Sequence, residues 1–588
     1  MDRDQPGGPL RVAIVGLGPK GLFALERLLD HARRGGSRAR MTIDVFEPHP
    51  VPAAGPVYDP AQPEYLRMNF AADRLDMWWP RTGVVPERER LSFVDWQAMR
   101  ASSGERDHEC RHAYPPRADV GRYLADGLAR MLRHAPAAAT VMLRASAVRS
   151  VQETTNGWRV LTCRGDTHEY DELLLAAGHG TAIDPLTIAP WEHAAPLVGA
   201  VFPVGQRLSQ ESVPAGAAVA VRGFALTFLD AALALTEGRG GRFEADGEPH
   251  RLRYLATDDD AGVVLPYSRG GRPMLAKPEP RLAAGIPELE ANAQAAGARI
   301  LELEDGFTVR GELLAILATA AAAGLLAGGG RRAARERSSR VIASASTWLT
   351  AACDGAPPPV ALTPAEELAR SVAVGSGRMA PDLPWAMGES WRSVYPALVA
   401  RIGGNGLSER EWPAFRRLAA QMERVSFGPP LINAAKLLAL VRAGRVDLTH
   451  VAAGRIRTAA AITSIGSAHG ERQVDVVLNA VLAAPGAQYR ADGPLPGLLA
   501  AGHTRVLPGR RGLDVRADGG AIGREGQPTP GLSILGRATE DAVIGNDTLS
   551  RGMHPHADRW ALRVAHRAGR EPVAPGVGAH SPPQRAPA

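Results

Sequence analysis

Lysine, cysteine and aromatic residues are all scarce in this chain, and each shortage closes off a class of function. Lysine occurs only at Lys20, Lys277 and Lys436, so the positive charge is almost wholly arginine, dispersed along an Ala-, Gly- and Pro-rich chain. No segment clusters those arginines with aromatic partners, which argues against a nucleic-acid binder despite the net charge of +6. Cys110, Cys163 and Cys353 are isolated and odd in number. They exclude a disulfide framework, a CxxC zinc site and a redox-active cysteine pair, and they suit a reducing cytoplasm. Long apolar runs are missing too: Leu313 to Leu326 is Ala-rich and falls short of the ~20 residues that span a bilayer. Met1 to Pro9 is polar, without the apolar stretch of a secretory signal. A cytoplasmic protein that does not enter a membrane is expected.

What is present begins with size, since 588 residues call for two or three packed units. Leu10 to Val15 is a short apolar run, followed by Gly16-Leu-Gly18-Pro19-Lys20-Gly21 and then by Leu22, Leu25, Leu28 and Leu29 in helical register. In such a strand, turn and helix, Gly16 permits the tight turn and Gly18 lets backbone approach a diphosphate. Gly21 lets the helix pack on the strand, and free N–H groups at the helix start face the anion. The next strand, Met41 to Phe46, ends at Glu47, where a dinucleotide-binding βαβ unit carries the acid that holds a ribose. A carboxylate there repels a 2′-phosphate, so FAD is the expected cofactor.

Ala218 to Leu235 repeats the pattern with Gly223, Ala225 and Thr227 in the turn. This second turn is degenerate, because Ala225 and Phe228 stand where a full fingerprint has glycines, and an ordinary βα turn reads as well. Arg239, Arg242 and Arg269 follow, the last beside Ser268 in Tyr-Ser-Arg-Gly-Gly. Guanidinium forks near strand ends suit a ribose 2′-phosphate, so NADPH is expected here over NADH. Each arginine also reads as a surface charge, Arg269 least so.

The expected fold class is α/β, with two Rossmann-like dinucleotide-binding domains, the second inserted in the first, and a large helical insertion. The expected division is 1–200 for the first part of the FAD-binding domain, 201–286 for the NAD(P)-binding domain and 287–440 for the helical insertion. Residues 441–568 complete the FAD-binding domain, and a Pro- and Ala-rich tail, 569–588, is expected to be disordered. Gly178 ends the buried run Leu173 to Ala177. Near the C-terminus, Gly531 to Gly536 leads to a turn with Asn546, Asp547 and Thr548, where a last helix is expected to start. Such a turn can bond the ribityl chain of a flavin, and plain capping by Asp547 is the other reading. His179, His554 and His556 have no further convergent ligands nearby, so no metal site is expected, and no Gly-x-Ser-x-Gly elbow supports a hydrolase. Trp78 and Trp79 read first as packing.

Several segments then combine: Ile14 to Gly21, Leu66-Arg-Met68-Asn69, Pro116-Arg117 ahead of Gly121-x-Tyr123-Leu124, Val221 to Asp230, Gly238 to Phe243, Arg424 to Pro430 and Thr539 to Arg551. Together they resemble the bacterial FAD/NAD(P)-binding proteins, distant relatives of the lysine and ornithine N-monooxygenases. Some members of that wider family resemble nitrosuccinate-forming aspartate N-monooxygenases. The resemblance implies an FAD-dependent, NADPH-using oxidoreductase that hydroxylates the nitrogen of an amine or small amino acid with O2, through a C4a-hydroperoxyflavin. A non-oxygenating oxidoreductase and a nucleotide-binding protein without turnover are the alternatives. The resemblance also sets Met68 and Asn69 against the isoalloxazine. Arg117, Lys277 and Arg424 are candidates for a substrate carboxylate, each equally open to a structural role. Ala225 departs from the family, which usually keeps glycine there.

Overall fold

The computed structural model describes residues 8–569 apart from 37–39, 81, 101–113, 181–190, 249, 280–286, 326–330, 357–361, 405, 460, 483, 486–491 and 547. Asp547 and the expected tail beyond Gly569 therefore lie outside the described residues. The chain opens with β1 (Leu10–Val15), α1 (Pro19–Gly35) and β2 (Met41–Phe46), then α2 (Arg117–Arg133), β3 (Ala139–Arg144) and β4 (Glu172–Leu175). β5 (Leu197–Val198), β6 (Ala218–Arg222), α3 (Leu226–Ala234) and β7 (Val263–Tyr267) follow. Seven helices come next: α4 (Pro287–Leu301), α5 (Leu314–Leu325), α6 (Arg331–Asp354), α7 (Pro364–Gly375), α8 (Leu383–Ile402), α9 (Trp412–Ser426) and α10 (Leu431–Arg442). The chain then returns through β8 (Val476–Asn479), β9 (Gly520–Ile522), β10 (Pro528–Ile534) and α11 (His556–Ala568).

Two parallel sheets organise these elements. The first runs β9-β10-β4-β1-β2-β3, parallel throughout except for the edge strand β9. The second runs β7-β6-β8-β5, all parallel. Their central strands read as unbroken apolar runs because both faces are covered, and β4 and β8 are buried at every position. α1 buries Leu22, Leu25, Leu28 and Leu29 against β1 and packs along α11, which contributes Trp560 and Val564 to the same core.

The strands are shared out differently from the expected division of the chain. The expected division puts β8 in the FAD-binding half, 441–568, yet it sits between β6 and β5 in the second sheet. The four residues of β8 are apolar or amide-bearing and carry no local mark of which sheet they join. Likewise the helical stretch is not one layer. α4, α5, α6, α8 and α9 close a core around Trp348, Trp391 and Trp412, whereas α7 and α10 give Leu368, Val372 and Leu438 to the core of the second sheet. The last helix starts at His556, not at Asp547 or Thr548. The Glu540 carboxylate takes the N–H groups of Gly545 and Asn546 at 2.7 and 2.9 Å, which closes that turn on itself, and Pro555 then sets the helix start. No helix among the described residues is long and apolar enough to cross a membrane.

Candidate functional site

Gly16, Gly18 and Gly21 occupy three different environments, which separates their roles. Gly16 has φ +92°, and a Cβ there would lie 2.5 Å from the carbonyl oxygen of Ala176. At Gly21 a Cβ would meet the carbonyl oxygen of Gly16 at 2.0 Å. Both glycines are thus required by the packing of α1 on β1 and β4. Gly18 is the exception, since its Cβ would meet nothing within 4 Å. The N-terminus of α1 has no side-chain cap and no acidic residue in its first turn, and Pro19 stands where an N–H would be unused. Open space, uncapped amides and the positive end of a 17-residue helix coincide at one point.

Glu47 closes one side of this turn from the end of β2. Its two carboxylate oxygens accept from Leu17 N at 2.8 Å and from His49 N at 2.9 Å, fixing the side chain beside the glycines. Gly178, at φ +58°, follows β4, and Gly536, at φ +83°, follows β10. Since β1, β4 and β10 are parallel neighbours, all three glycine segments lie at the carboxyl edge of the first sheet, where open α/β sheets bind ligands. Lys20 reaches along that edge, its Cγ 3.4 Å from the position a Cβ would take on Gly536. Asn546 is buried, and its amide donates to Gly536 O at 3.3 Å and to Thr539 Oγ1. Thr548 continues the same loop, donating its N–H to Gly545 O at 3.2 Å.

Behind the turn lies a buried ionic network that no local pattern announces. Arg551 bonds Glu26 at 2.9 Å, Arg27 bonds Asp30 at 2.9 Å and Asp558 at 2.6 Å, and His31 reaches Asp558 at 3.0 Å. Burial pushes the Asp30 carboxyl up, but hydrogen bonds from Arg34 and Arg33 and the charge of Arg27 overrule it and hold the pKa at about 2. Arg551 also stacks on Phe23 and Trp79 with its guanidinium carbon 4.5 and 5.1 Å from the ring centroids. The network ties α1 to α11 through Asp558. His554 and His556 line a small void beside it with Lys20 and Asn546. Burial, with Lys20 and His556 close by, lowers His554 to about 3, and burial, with Arg559 and Lys20, lowers His556 to about 4. Both are neutral imidazoles at ordinary pH.

At the second turn Gly223 has φ +112°, and its N–H donates to Tyr267 O at 2.9 Å. β6 and β7 run in parallel register from Ala218 opposite Val263 to Arg222 opposite Tyr267, so Ser268 and the exposed Arg269 come to the same edge as Gly223. Ala225 is the exposed N-cap of α3, which carries Thr227 in its first turn. Arg239 lies elsewhere, past the far end of α3. Its guanidinium donates to the carbonyl oxygens of Leu208, Val213 and Asp259 at 3.2, 2.7 and 3.2 Å. Arg242 is exposed and starts an antiparallel hairpin, Arg242–Ala245 with Leu252–Leu255, outside both parallel sheets. Of the three arginines, Arg269 alone shares the edge of the second turn.

The remaining candidates meet where the two sheets and the helices converge. Met68 is buried in the first core and bonds Pro115 O through its N–H at 2.8 Å. The amine of Lys277 donates to the carbonyl oxygen of Asn69, and the Asn69 amide reaches Phe427 O at 3.4 Å. Lys277 is buried over the ring of Tyr114, and burial, then the charges of Arg392 and Arg74, push its pKa well below the usual range. Arg117, at the start of α2, is bound to Asp230 of α3 at 2.8 Å. Arg424 pairs with Glu367 at 2.8 Å and donates to Pro273 O at 2.9 Å. Asn69 and Lys277 are thereby brought together, while Arg117 and Arg424 already have carboxylate partners. Among the described residues no group of three His, Cys, Asp or Glu side chains could hold a metal ion.

Residues 13–180 match a family model described as FAD-NAD(P)-binding. A nitrosuccinic acid synthase of Aspergillus oryzae is 34% identical over 269 residues, 44% of this chain and 40% of that protein. An L-aspartate N-monooxygenase (nitrosuccinate-forming) of Streptomyces cremeus is 33% identical over 273 residues, 42% of this chain and 40% of that protein. The match thus spans about 40% of the length of these curated relatives. Among solved structures, L-lysine 6-monooxygenase from Pseudomonas syringae aligns at TM-score 0.45 and 14% identity, covering 95% of this chain and 100% of that one.

Proposed function

We propose, on the premise that residues 13–180 belong to the FAD-NAD(P)-binding family, that this chain is an FAD-dependent, NADPH-using N-monooxygenase acting on an amino acid. The observation that carries the reading is the open space at Gly18, bounded by two glycines that backbone packing demands and fronted by uncapped helix amides. A diphosphate fits such a place, and a side-chain cap is absent where an anion would compete with it. Glu47, held by Leu17 and His49, stands where an adenosine ribose would lie. The amino-acid substrate rests on the activity of the L-aspartate N-monooxygenase of Streptomyces cremeus.

In this proposal the flavin, when bound, supplies the oxygen-activating chemistry. The chain supplies position. The first turn and Glu47 bind the dinucleotide, with Lys20, Gly178, Asn546 and Thr548 along the same edge. Gly223, Ala225, Thr227, Ser268 and Arg269 bind the nicotinamide nucleotide. Met68 and Asn69 face the reacting end, and Lys277, tied to Asn69 O, stands beside the substrate amine. No protein nucleophile is needed, because the protein's task is to orient the amine and keep water out.

The test is spectral and then chemical. Purified protein is expected to be yellow, to bleach with NADPH under anaerobic conditions, and to couple NADPH consumption to an N-oxygenated product when supplied with an amino acid. A colourless protein that cannot take up FAD would sink the proposal.

A further inference from the structure

Between α6, α7, α8 and the segment that follows β7 lies a cavity of about 550 Å³, within the usual range of small-molecule sites of roughly 300–1,000 Å³. Trp348 of α6, Val374 of α7, Trp385 of α8 and Val425 of α9 are buried side chains that give it an apolar wall. Residues 275–278 form another side. Lys277 pairs there with Pro430 in a parallel bridge, its N–H donating to Pro429 O at 2.9 Å, and side chains on such extended backbone alternate between two faces. Ala276 and Pro278 line the cavity, while Lys277 leaves on the other face and reaches Asn69 O. The cavity therefore lies across this segment from the corner where Lys277 meets Asn69.

The charged side chains on its wall are already matched. Glu367 is held by Arg272 at 3.3 Å and Arg424 at 2.8 Å. Asp382 pairs with Arg370 at 2.8 Å and caps α8 through Trp385 N at 3.0 Å. Arg392 pairs with Glu389 and donates to Ser426 O. Two hydroxyls on the wall are engaged as well. Thr347 Oγ1 donates to Ala343 O at 2.9 Å, and Ser371 Oγ donates to Leu368 O at 3.0 Å while accepting from Ala276 N at 3.3 Å. A carboxylate or an ammonium group entering this space would have to part an existing ion pair or give up its water with no partner to replace it. An uncharged ring meets neither obstacle, and it gains contact with two indoles.

We propose that this cavity is a second ligand site, separate from both glycine turns and from the Lys277–Asn69 corner, and that it takes a neutral, apolar, ring-bearing small molecule. Such a ligand lies against Ala276 and Pro278 and so braces the stretch of backbone that carries Lys277 toward Asn69. The inference goes beyond the N-monooxygenase reading and does not depend on it.

N-phenylnaphthylamine, a neutral apolar dye that fluoresces on leaving water, is the probe, and anilinonaphthalene sulfonate, the same ring system carrying a negative charge, is its control. Each is titrated into the full-length protein in the presence of FAD. The neutral dye is expected to bind saturably, and the sulfonated one at least tenfold more weakly. Thr347→Trp, which fills the cavity from α6 without removing a charge, is expected to weaken the neutral dye tenfold or more. Amide hydrogen exchange on the parent gives a readout that needs no variant: the neutral dye is expected to slow exchange across residues 275–278, where Ala276 and Lys277 donate to Ser371 Oγ and Pro429 O. No binding, equal binding of the charged dye, or binding that neither weakens in Thr347→Trp nor slows exchange at 275–278 overturns the inference. FAD uptake is read separately on the same protein, so failure of the flavin reading is told apart from failure of the cavity.

Discussion

Arg117 and Asp230 meet at 2.8 Å across the boundary between the two parallel-sheet units, one at the start of α2 and the other within α3. Asp230 is buried; burial pushes its carboxyl up and Arg117 pulls it back. Arg117→Met leaves a buried carboxylate without its counter-charge, and the expected loss of stability is about 3–5 kcal/mol at neutral pH. The sign of the pH effect follows. A carboxyl whose folded pKa lies above its unfolded value binds its proton more tightly when folded, so folding gains as pH falls. With Arg117 gone that pKa climbs further, and the deficit of the variant should shrink toward acid. Thermal midpoints of parent and variant between pH 7 and 4 check this; a deficit that stays constant would contradict it.

The two lowered histidines set an acid limit. Well above pH 6.5 His554 and His556 are neutral in both folded and unfolded chains and contribute no pH dependence. As pH falls from 6.5 toward about 3 and about 4, the unfolded chain takes up protons that the folded one refuses. Each group then costs stability at up to roughly 1.4 kcal/mol per pH unit. His554→Gln, which can still donate to Gly545 O, is expected to flatten the fall of the denaturant midpoint between pH 6.5 and 4. An unchanged slope would mean that the imidazole titrates freely in the folded protein.

The first turn separates folding from cofactor binding. Gly18→Val places its side chain in space that the protein leaves open, so the variant should fold with normal circular dichroism and lose its flavin. Gly16→Ala and Gly21→Ala drive a methyl group into backbone carbonyls at 2.5 and 2.0 Å, and those proteins should fail to fold or appear in the insoluble fraction. A Gly18→Val protein that keeps full flavin content would refute the site.

Local pattern carried much of this architecture and little of its long-range wiring. The glycine turns, Glu47 and the strands beside them were legible because each is a contiguous run whose residue types have one structural use. The start of α11 was misplaced because Asn546 and Asp547 look like caps, whereas Glu540 had already taken the neighbouring amides. Pro555 with Asp558 in the first turn was the better signal. Arg239, though close in sequence to the second turn, ends among carbonyls, since a helix of nine residues carries it to the opposite edge of the sheet. The Glu26–Arg551 pair gave no warning at all. Arg27, on α1, reads as solvated until Asp558, hundreds of residues distant, comes into place beside it.

The position of β10 governs how the chain can be made. β4 is complete once residue 175 is synthesised, but its partner β10 starts only at Pro528, so at about 5–20 residues per second the ribosome takes roughly 20–70 s to deliver it. Throughout that interval one flank of β4 offers bare peptide groups to any passing strand. A message truncated upstream of that point would leave a product predisposed to clump, and the yield of intact protein should depend on chaperones holding the nascent chain until its far end emerges.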